Sequence, residues 1–266
     1  MPDVTLLPGD CLALLPTLPA QSVDLVLADL PYGTTDCKWD SVIPLDKLWE
    51  QYKRVLKPRG AVVLTAQQPF ATDLINSNRK WFRYEWIWHK TCSRGFLNAN
   101  KMPLRSHENI LVFYARLPTY NPQKAPTEKP RPMRRRLAAP SATGVYQGVL
   151  PLSDKAVRSE QYPTSVFQIA NNHGHQPLFG RDWDNQAEEK TKHPTQKPVA
   201  LMAYLIRTYS NPGDTVLDNT MGSGTTGVAA VQEGRAFIGM EQDAGYYAIA
   251  QARIAAVDPL WREGAA

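Results

Sequence analysis

A carboxylate, a proline and an aromatic residue lie together where an apolar segment ends. Residues 23–28 have the composition of a buried strand and lead directly into Asp29-Leu30-Pro31-Tyr32. The Asp29 carboxylate and the Leu30 carbonyl can accept two hydrogens from a conjugated amino group, because Pro31 fixes the local backbone. Tyr32 can stack on a base that has been flipped from a duplex. The segment therefore suits chemistry on a nucleobase amino group, with a capped Pro-Tyr-Gly turn as the purely structural alternative.

A glycine-rich turn follows another apolar run near the C-terminus. It starts at Asp218 and contains Gly222 and Gly224, small residues that let the backbone approach a ligand at a helix N-terminus. The next apolar run ends at Glu241, whose carboxylate can bind both hydroxyls of a ribose. These features indicate a nucleoside-bearing cofactor. Since Gly227 completes a GxGxxG spacing, a nicotinamide dinucleotide and a turn without any ligand stay open as alternatives.

Alternating strand and helix patterns at both ends of the chain provide the scaffold for these segments. Strands are predicted at residues 4–7, 23–28, 61–65, 84–88, 109–114, 215–217 and 236–240, and helices at 45–56, 69–75, 198–209, 225–232 and 244–256. Parallel strands present their carboxyl ends at one edge of a sheet, so Asp29 and the glycine-rich turn should meet there. We predict an α/β fold with a doubly wound, mostly parallel, Rossmann-like sheet.

Three parts of the chain are distinguished by their composition. Residues 1–115 form a predicted catalytic half, residues 116–190 an insertion, and residues 191–266 a cofactor-binding half. The insertion is dense in proline and lacks periodicity, so we do not expect it to continue the sheet. Its cations are opposed only by Glu128 over residues 124–136, and they can bind phosphates or simply form a solvated loop.

Composition restricts the class of protein. Lys and Arg number 30 against 25 Asp and Glu, and the resulting net charge of +5 permits a polyanionic partner. The three cysteines are scattered without a CxxC pair, which argues against a disulfide framework and a zinc site, and no metal site is expected. No export signal and no apolar run of membrane-spanning length is recognisable, so we expect a cytoplasmic protein without a membrane partner.

Taken together, the motifs resemble those of the permuted β-class DNA amino-methyltransferases. In that family a (D/N/S)PP(Y/F) motif precedes the cofactor motif. The matching segments begin at Pro8, Ala28, Arg105, His193 and Asp218, and they cover most of the chain outside residues 116–190. Leu30 stands where the family has its first proline, but its expected contact is made by the backbone carbonyl. Where the family often has a phenylalanine shortly after the aspartate of the cofactor motif, this chain has Asn219-Thr220-Met221, which leaves packing against the cofactor adenine to Met221 or other residues.

The resemblance implies a circularly permuted fold, S-adenosyl-L-methionine as cofactor and a catalytic site at Asp29, Leu30, Pro31 and Tyr32. The implied cofactor residues are Asp10 and Cys11 for the adenine, Glu241 for the ribose, Thr195, Gln196 and Lys197 for the methionine end, Asp218 for its ammonium, and Met221, Gly222, Ser223, Gly224 and Thr225 in the turn. Asp10 is equally suited to cap a helix. An aspartate that starts the catalytic motif resembles the adenine-specific branch. Cytosine 4-amino methylation is the nearest alternative, and an inactive DNA-binding descendant is another.

Double-stranded DNA is the partner that this resemblance implies, with residues 116–190 as the target-recognition region. The candidate DNA contacts are Arg94, Lys101, Lys124, Lys129, Arg131, Arg134, Arg135, Arg136, Asn171, Asn172 and His173. The resemblance also implies a homodimer. The recognition sequence, and whether a restriction nuclease accompanies the protein, are not readable from the chain.

Overall fold

The computed structural model describes residues 2–33, 41–132, 134–140, 147–151, 157–171 and 196–257. Four residues that the sequence analysis names lie outside the described residues, namely Asn172, His173, His193 and Thr195. Two compact units are present: Met1–Asn121 together with Ser165–Ala266, and Pro122–Thr164. Both strand-end motifs belong to the first unit.

Eight strands of the described residues form one sheet in the first unit. They are β1 (Val4–Pro8), β2 (Val23–Ala28), β3 (Leu56–Ala66), β4 (Phe82–Arg94), β5 (Arg105–Phe113), β10 (Val166–Ile169), β11 (Thr215–Asp218) and β12 (Ala236–Glu241). Their order across the sheet is β1-β12-β11-β2-β3-β5-β4-β10. The pairs from β1 to β3 are parallel, as is β10 with β4, whereas β5 runs antiparallel to both neighbours. The sheet is therefore mixed and mostly parallel, as predicted.

Helices cover both faces of this sheet. They are α1 (Cys11–Leu14), α2 (Leu45–Val55), α3 (Phe70–Ser77), α4 (Val199–Tyr209), α5 (Thr225–Gln232) and α6 (Ala244–Ala255). The core residues of α1, α2 and α3 form one apolar cluster with the sheet, and those of α4, α5 and α6 form the other. Two clusters on opposite faces are the arrangement of a doubly wound α/β fold. None of the helices in the described residues is long and apolar enough to cross a membrane.

Local sequence explains where several helices begin and end. In α2, buried Leu48, Tyr52 and Val55 recur at helical spacing, and Asp46 lies in the first turn, where the helix dipole favours an acid. In α6, the Asp243 carboxylate accepts a hydrogen bond from the Tyr246 amide at 2.9 Å and caps the helix. These helices hold β1, β2 and β12 in place, and the loops after those strands line the site.

The sheet differs from the sequence-based prediction in two places. Val166–Ile169 pairs with β4 although it lies within residues 116–190, so the expectation that this region lies outside the sheet is wrong for this strand. Four residues are too few to show a period of two. Strand β3 starts at Leu56 rather than at residue 61, because the chain pairs with Val23 before a register shift.

The second unit, Pro122–Thr164, contains two small antiparallel ribbons among its described residues. Strand β6 (Ala125–Pro132) pairs with β9 (Val157–Gln161), and β7 (Arg134–Pro140) pairs with β8 (Gln147–Pro151). The Lys124 ammonium lies 3.4 Å from the Glu160 carboxylate and above the Tyr162 ring. The backbones of Lys129, Arg131 and Arg134 to Arg136 belong to these strands.

Candidate active site

Asp29 follows β2 directly and lies at the carboxyl edge of the sheet, between β3 and β11. Its Oδ1 accepts a hydrogen bond from the hydroxyl of Thr65 at the end of β3 and lies 2.7 Å from the Tyr32 hydroxyl. Its backbone carbonyl accepts a hydrogen bond from the Thr220 hydroxyl at 3.1 Å. The carboxylate is thus held by Thr65 and Tyr32 and the backbone of Asp29 by Thr220, which fixes the direction of the side chain before any substrate binds.

Lys197 forms the main charged contact of this carboxylate. Its ammonium lies 2.6 Å from Asp29 Oδ2 and 3.4 Å from Glu108 Oε2. Burial favours the neutral amine, but the carboxylates of Asp29 and Glu108 and the Tyr32 ring hydroxyl hold the pKa of Lys197 well above its ordinary value. Lys197 is therefore a cation shared between two carboxylates.

Glu108 extends this contact into a buried chain of charges. It forms an ion pair with Lys90, and both side chains are 6% exposed. Gln67 donates a hydrogen bond to Glu108 at 2.9 Å. Burial opposes ionisation of Glu108, but the two lysines lower the pKa of its carboxyl, whereas burial lowers the pKa of Lys90. Two acids and two bases alternate in this chain, so its formal charge is zero.

Tyr32 is packed on one side and paired on the other. Its ring stacks on Phe70 with centroids 5.3 Å apart and an interplanar angle of 26°. The Lys197 ammonium lies 5.7 Å from the ring centroid. Burial and the neighbouring Asp29 carboxylate raise the pKa of the Tyr32 phenol well above its ordinary value, so the hydroxyl stays protonated and able to donate.

A cavity of about 280 Å³ adjoins Asp29 at the same edge of the sheet. Most of the predicted cofactor residues line it, namely Asp10, Cys11, Gln196, Lys197, Asp218, Met221, Gly222, Ser223, Thr225 and Glu241. Asp29 and Pro31 line it as well. The two strand-end segments that the sequence placed apart are therefore combined in one site.

The acidic groups of the cavity are positioned by backbone amides. Glu241 accepts hydrogen bonds from the amides of Gly222 at 2.9 Å and Asp243 at 2.8 Å. Burial raises the pKa of Asp218 to about 7, partly offset by hydrogen bonds from Thr226 and the Thr220 amide. Each acid ends a parallel strand, the position at which open α/β sheets bind their ligands.

An unsatisfied donor in this cavity points to a polar ligand. The Asn219 side chain is 2% exposed, and its oxygen accepts a hydrogen bond from the Tyr52 hydroxyl at 2.5 Å. Its Nδ2 has no hydrogen-bond partner within the described residues. A buried donor of this kind is costly unless a ligand accepts from it. A nucleoside that carries an amino-acid group would match these groups, namely the carboxylates of Asp218 and Glu241, the backbone amides beside them and the unpaired Asn219 donor.

Three of the predicted site residues have a structural role, either in place of or in addition to a role in the cavity. Gly224 does not line the cavity. It precedes α5 with a φ of +81°, and a side chain at this position would clash, because its Cβ would lie 2.9 Å from the Cβ of Ala250. The Leu30 side chain is 3% exposed in the core, which leaves only its backbone for the expected contact. Asp10 accepts a hydrogen bond from the Leu12 amide at 2.9 Å, so it caps α1 while it also lines the cavity.

Comparison with known proteins identifies the family. The family model described as DNA methylase matches residues 23–252, which include both strand-end segments. This chain belongs to the DNA methylase family. The DNA adenine methyltransferase YhdJ of Escherichia coli (strain K12) is 32% identical over 262 residues, which cover 91% of this chain and 79% of YhdJ. The type II methyltransferase M.HinfI of Haemophilus influenzae is 27% identical over 281 residues, which cover 96% and 69%.

Solved structures confirm the predicted fold of the methylase. The M1.HpyAVI-SAM complex matches with a TM-score of 0.59 and 22% identity, over 94% of this chain and 98% of that one. The cytosine-N4-specific PvuII DNA methyltransferase matches with a TM-score of 0.65 and 17% identity, over 99% and 88%. Family membership confirms the resemblance inferred from the motifs and the prediction of a DNA-methylating enzyme.

Some predicted DNA contacts of the methylase have a defined place in the first unit. Arg94 and Lys101 are exposed at the loop between β4 and β5. Asn171 is 6% exposed; it accepts hydrogen bonds from the Thr91 hydroxyl at 2.7 Å and the Cys92 amide at 2.9 Å, and it donates to the Cys92 carbonyl at 2.9 Å. Its side-chain oxygen and nitrogen are both engaged within the protein, which favours a structural role for Asn171 and leaves its predicted DNA contact a prediction.

Several residues of the methylase site were missed or given no role from sequence. They are Thr65, Gln67, Lys90, Glu108 and Asn219. Thr65 had a local signal, since it is a polar residue where an apolar strand ends. Glu108 stands in the family-like segment that begins at Arg105 but was given no role. Lys90 had no signal, because lysines are usually exposed and only the pairing of β4 with β5 buries it together with Glu108.

Proposed function

We propose that this methylase transfers a methyl group from S-adenosyl-L-methionine to the 6-amino group of adenine in double-stranded DNA at a specific sequence. The observation that carries the proposal is the Asp29 carboxylate, which lies on the wall of the cavity that Glu241 and Asp218 also line. An acceptor for a substrate amine and the acids suited to a ribose and an ammonium therefore meet in one site.

When bound, S-adenosyl-L-methionine would supply an electrophilic methyl group on its sulfonium. The amino nitrogen would bond to this carbon as the sulfur–carbon bond breaks and leaves a neutral thioether, and the proton lost from the nitrogen would pass to the Asp29 carboxylate and on to solvent. Asp29 and the Leu30 carbonyl accept hydrogen bonds from the amino group and direct its lone pair. Because Lys197 contacts one Asp29 oxygen and Thr65 the other, the carboxylate is held in a fixed orientation. Catalysis rests on position rather than on a covalent enzyme intermediate.

Two features favour adenine over cytosine as the substrate base. YhdJ, which is named a DNA adenine methyltransferase, is 32% identical across 91% of this chain. The motif also begins with Asp29. The cytosine-N4-specific PvuII enzyme shares the fold at 17% identity, which carries no argument about the base.

Roles for the cavity residues follow from their chemistry. Glu241 would bind the ribose hydroxyls, Cys11 and Met221 would pack near the adenine, and Asp218 would pair with the methionine ammonium. Asn219 Nδ2 would donate to a cofactor acceptor. Lys197 is engaged with Asp29 and Glu108, so we assign it to the catalytic carboxylate first and to the methionine end second.

The wider setting of the enzyme stays a prediction. We expect residues 116–190 to contribute target recognition, since they hold the cations at positions 124 to 136. A homodimer is expected from the family resemblance. A cytoplasmic location is expected because no export signal or apolar run of membrane-spanning length is recognisable in the sequence. The recognition sequence has to be read from modified DNA.

The test is methylation of genomic DNA by the purified protein with tritiated S-adenosyl-L-methionine, followed by nucleoside mass spectrometry. N6-methyladenine should appear with the wild type and fall at least a thousandfold with Asp29→Ala, while calorimetric cofactor affinity changes by less than about tenfold. Asp46→Ala, on the outer helix α2, is the matched control and should methylate normally. Label in N4-methylcytosine would refute the choice of base, and normal activity of Asp29→Ala would refute the site.

A further inference from the structure

The loop from β4 to β5 exposes an unusual amount of apolar surface. Phe96 is 81% and Leu97 97% exposed, and Met102 and Leu104 in the same loop are 54% and 43% exposed. Phe96 and Leu97 lie on one short 3₁₀ turn that starts after Gly95 at a φ of +90°. Adjacent large apolar side chains in water usually mark a surface that another molecule covers.

Strand register places this loop at the same edge of the sheet as the active site. Strand β5 runs antiparallel to β3 with Asn109 opposite Ala66, so residues before 109 extend beyond the carboxyl end of β3. Arg105 pairs with Arg94 at the base of the loop. Arg105 lies three residues, about 10 Å along the strand, from buried Glu108.

A path of hydrogen bonds and ion pairs joins the base of the loop to the catalytic carboxylate. Arg105 donates to Gln67 at 2.9 Å, and Gln67 donates to Glu108 at 2.9 Å. Glu108 contacts Lys197, which pairs with Asp29. The loop is therefore anchored to the groups that hold the substrate amine.

Charge identifies the kind of molecule that this surface fits. Residues 94–105 contain Arg94, Lys101 and Arg105 and no acidic residue, and all three cations are exposed. Cations bind phosphates, and apolar side chains can be inserted between base pairs. An apolar tip flanked by cations, at the sheet edge that holds the active site, is complementary to duplex DNA.

We infer that Phe96 and Leu97 form a wedge that enters the base stack of duplex DNA beside the nucleotide that is flipped toward Asp29. This inference rests on the proposed function and names the part of the surface that opens the duplex. The wedge replaces stacking contacts that the target base loses when it leaves the helix, and Arg94, Lys101 and Arg105 hold the flanking phosphates.

The experiment compares a wedge variant on paired and unpaired targets. The probe is a duplex oligonucleotide that carries the recognition sequence mapped by methylation of genomic DNA, either fully paired or with an abasic site opposite the target base. The variant is F96S/L97S. Leu117→Ser is the control, because Leu117 is also exposed (66%) and lies outside the site. Both variants should unfold at the wild-type temperature, since the substituted side chains make little contact with the core.

We expect single-turnover methylation of the paired duplex by F96S/L97S to fall at least tenfold, and to return to within threefold of the wild type on the abasic duplex. An unpaired base needs less help to leave the stack. With 2-aminopurine at the target position, the fluorescence rise on binding should be lost on the paired duplex only.

Two results would overturn the wedge. Wild-type rates for F96S/L97S on the paired duplex would show that the apolar tip serves another partner, such as a protein. An equal loss on both duplexes would show a contact that is unrelated to base opening. If the wild type modified no DNA at all, the proposed function itself would fail, and this result is distinct from either of the two.

Discussion

Replacing Glu108 by glutamine should separate the catalytic and structural contributions of the buried charge chain. The amide keeps the shape of the carboxylate and can still accept from Gln67, but it removes one negative charge between Lys90 and Lys197. Lys197 would then direct its whole charge at Asp29. An Asp29 oxygen that is bound more tightly by Lys197 is a weaker acceptor for the substrate amine.

The structure gives the size of the effect. At the 3.4 Å between Lys197 and Glu108, the Coulomb energy is about 5 kcal/mol at an effective dielectric constant of 20, an upper limit. Removing one partner of a buried ion pair usually costs about 3–5 kcal/mol of stability. Burial already lowers the pKa of Lys90, so Lys90 can lose its proton and limit this cost. We expect a stability loss of about 3 kcal/mol for Glu108→Gln.

The loss in rate should be smaller than the loss in stability and should appear in kcat. We expect kcat to fall about 10- to 100-fold, which corresponds to about 1.4–2.8 kcal/mol of activation free energy. KM for DNA should stay within about twofold, because Glu108 is buried and cannot itself reach the DNA, and because glutamine at this position can still accept the hydrogen bond from Gln67. Urea unfolding measures the stability, and single-turnover methylation of DNA measures the rate.

The double variant K90M/E108Q is the matched control. It removes one acid and one base, so no uncompensated lysine is left, and stability should recover to within about 1 kcal/mol of the wild type. Its kcat should remain low, since Lys197 still lacks its second carboxylate. Full recovery of kcat in the double variant would refute the reasoning and leave Glu108 with a purely structural role.

Two further predictions concern Asp218 and Asn171. Burial raises the pKa of the Asp218 carboxyl from 3.8 to about 7. The native state therefore binds the carboxyl proton more tightly than the unfolded chain does. The free energy of unfolding of the unliganded protein should fall as the pH rises from 3.8 to about 7. In urea unfolding, Asp218→Asn should flatten this pH dependence. If the ionised Asp218 carboxylate pairs with the cofactor ammonium, wild-type cofactor affinity measured by calorimetry should rise between about pH 6 and 8, and Asp218→Asn should abolish this rise. Asn171→Ala should cost about 3 kcal/mol in urea unfolding, because the Cys92 amide and carbonyl lose their partner, and should leave DNA affinity unchanged. Ser93→Ala, an exposed change on the same strand, is its control; a loss of DNA affinity in Asn171→Ala without a loss of stability would support the DNA-contact assignment.

Local sequence was sufficient for most of the fold. Strand β2 and helix α5 lie within the bounds that their patterns predict, Val23–Ala28 and Thr225–Gln232, because an apolar run and a glycine-rich turn are signals contained in a few residues. Strand β10 was missed, since its only reason to be a strand is its neighbour β4. The early start of β3 likewise depends on pairing with Val23.

For the site, the sequence identified the strand-end acids but not the contacts between them. Asp29 and Glu241 were predictable because a polar residue after an apolar strand lies at the ligand-binding edge. The pairing of Lys197 with Asp29 and Glu108 could not be read from spacing, since it joins three segments that only the folded sheet brings together. Asn171 shows another limit of the sequence, because an amide that can read a base cannot be told from one that bonds within the protein until its burial is known.

Strands β2 and β11 are neighbours in the sheet although they lie far apart in the chain, and this affects when the active site can form during synthesis. The contacts that assemble the site join residues far apart in the chain: Thr220 with the Asp29 carbonyl, Lys197 with the Asp29 carboxylate, and Tyr52 with Asn219. A ribosome that has synthesised the first half has made Asp29 and Tyr52 but not Lys197, Asn219 or Thr220. The site therefore forms only late in synthesis, and such long-range closure slows folding. Two fragments divided between β5 and α4 should each be inactive and should regain activity only together, which makes this scaffold suited to a methylation reporter that responds to the association of two fused proteins.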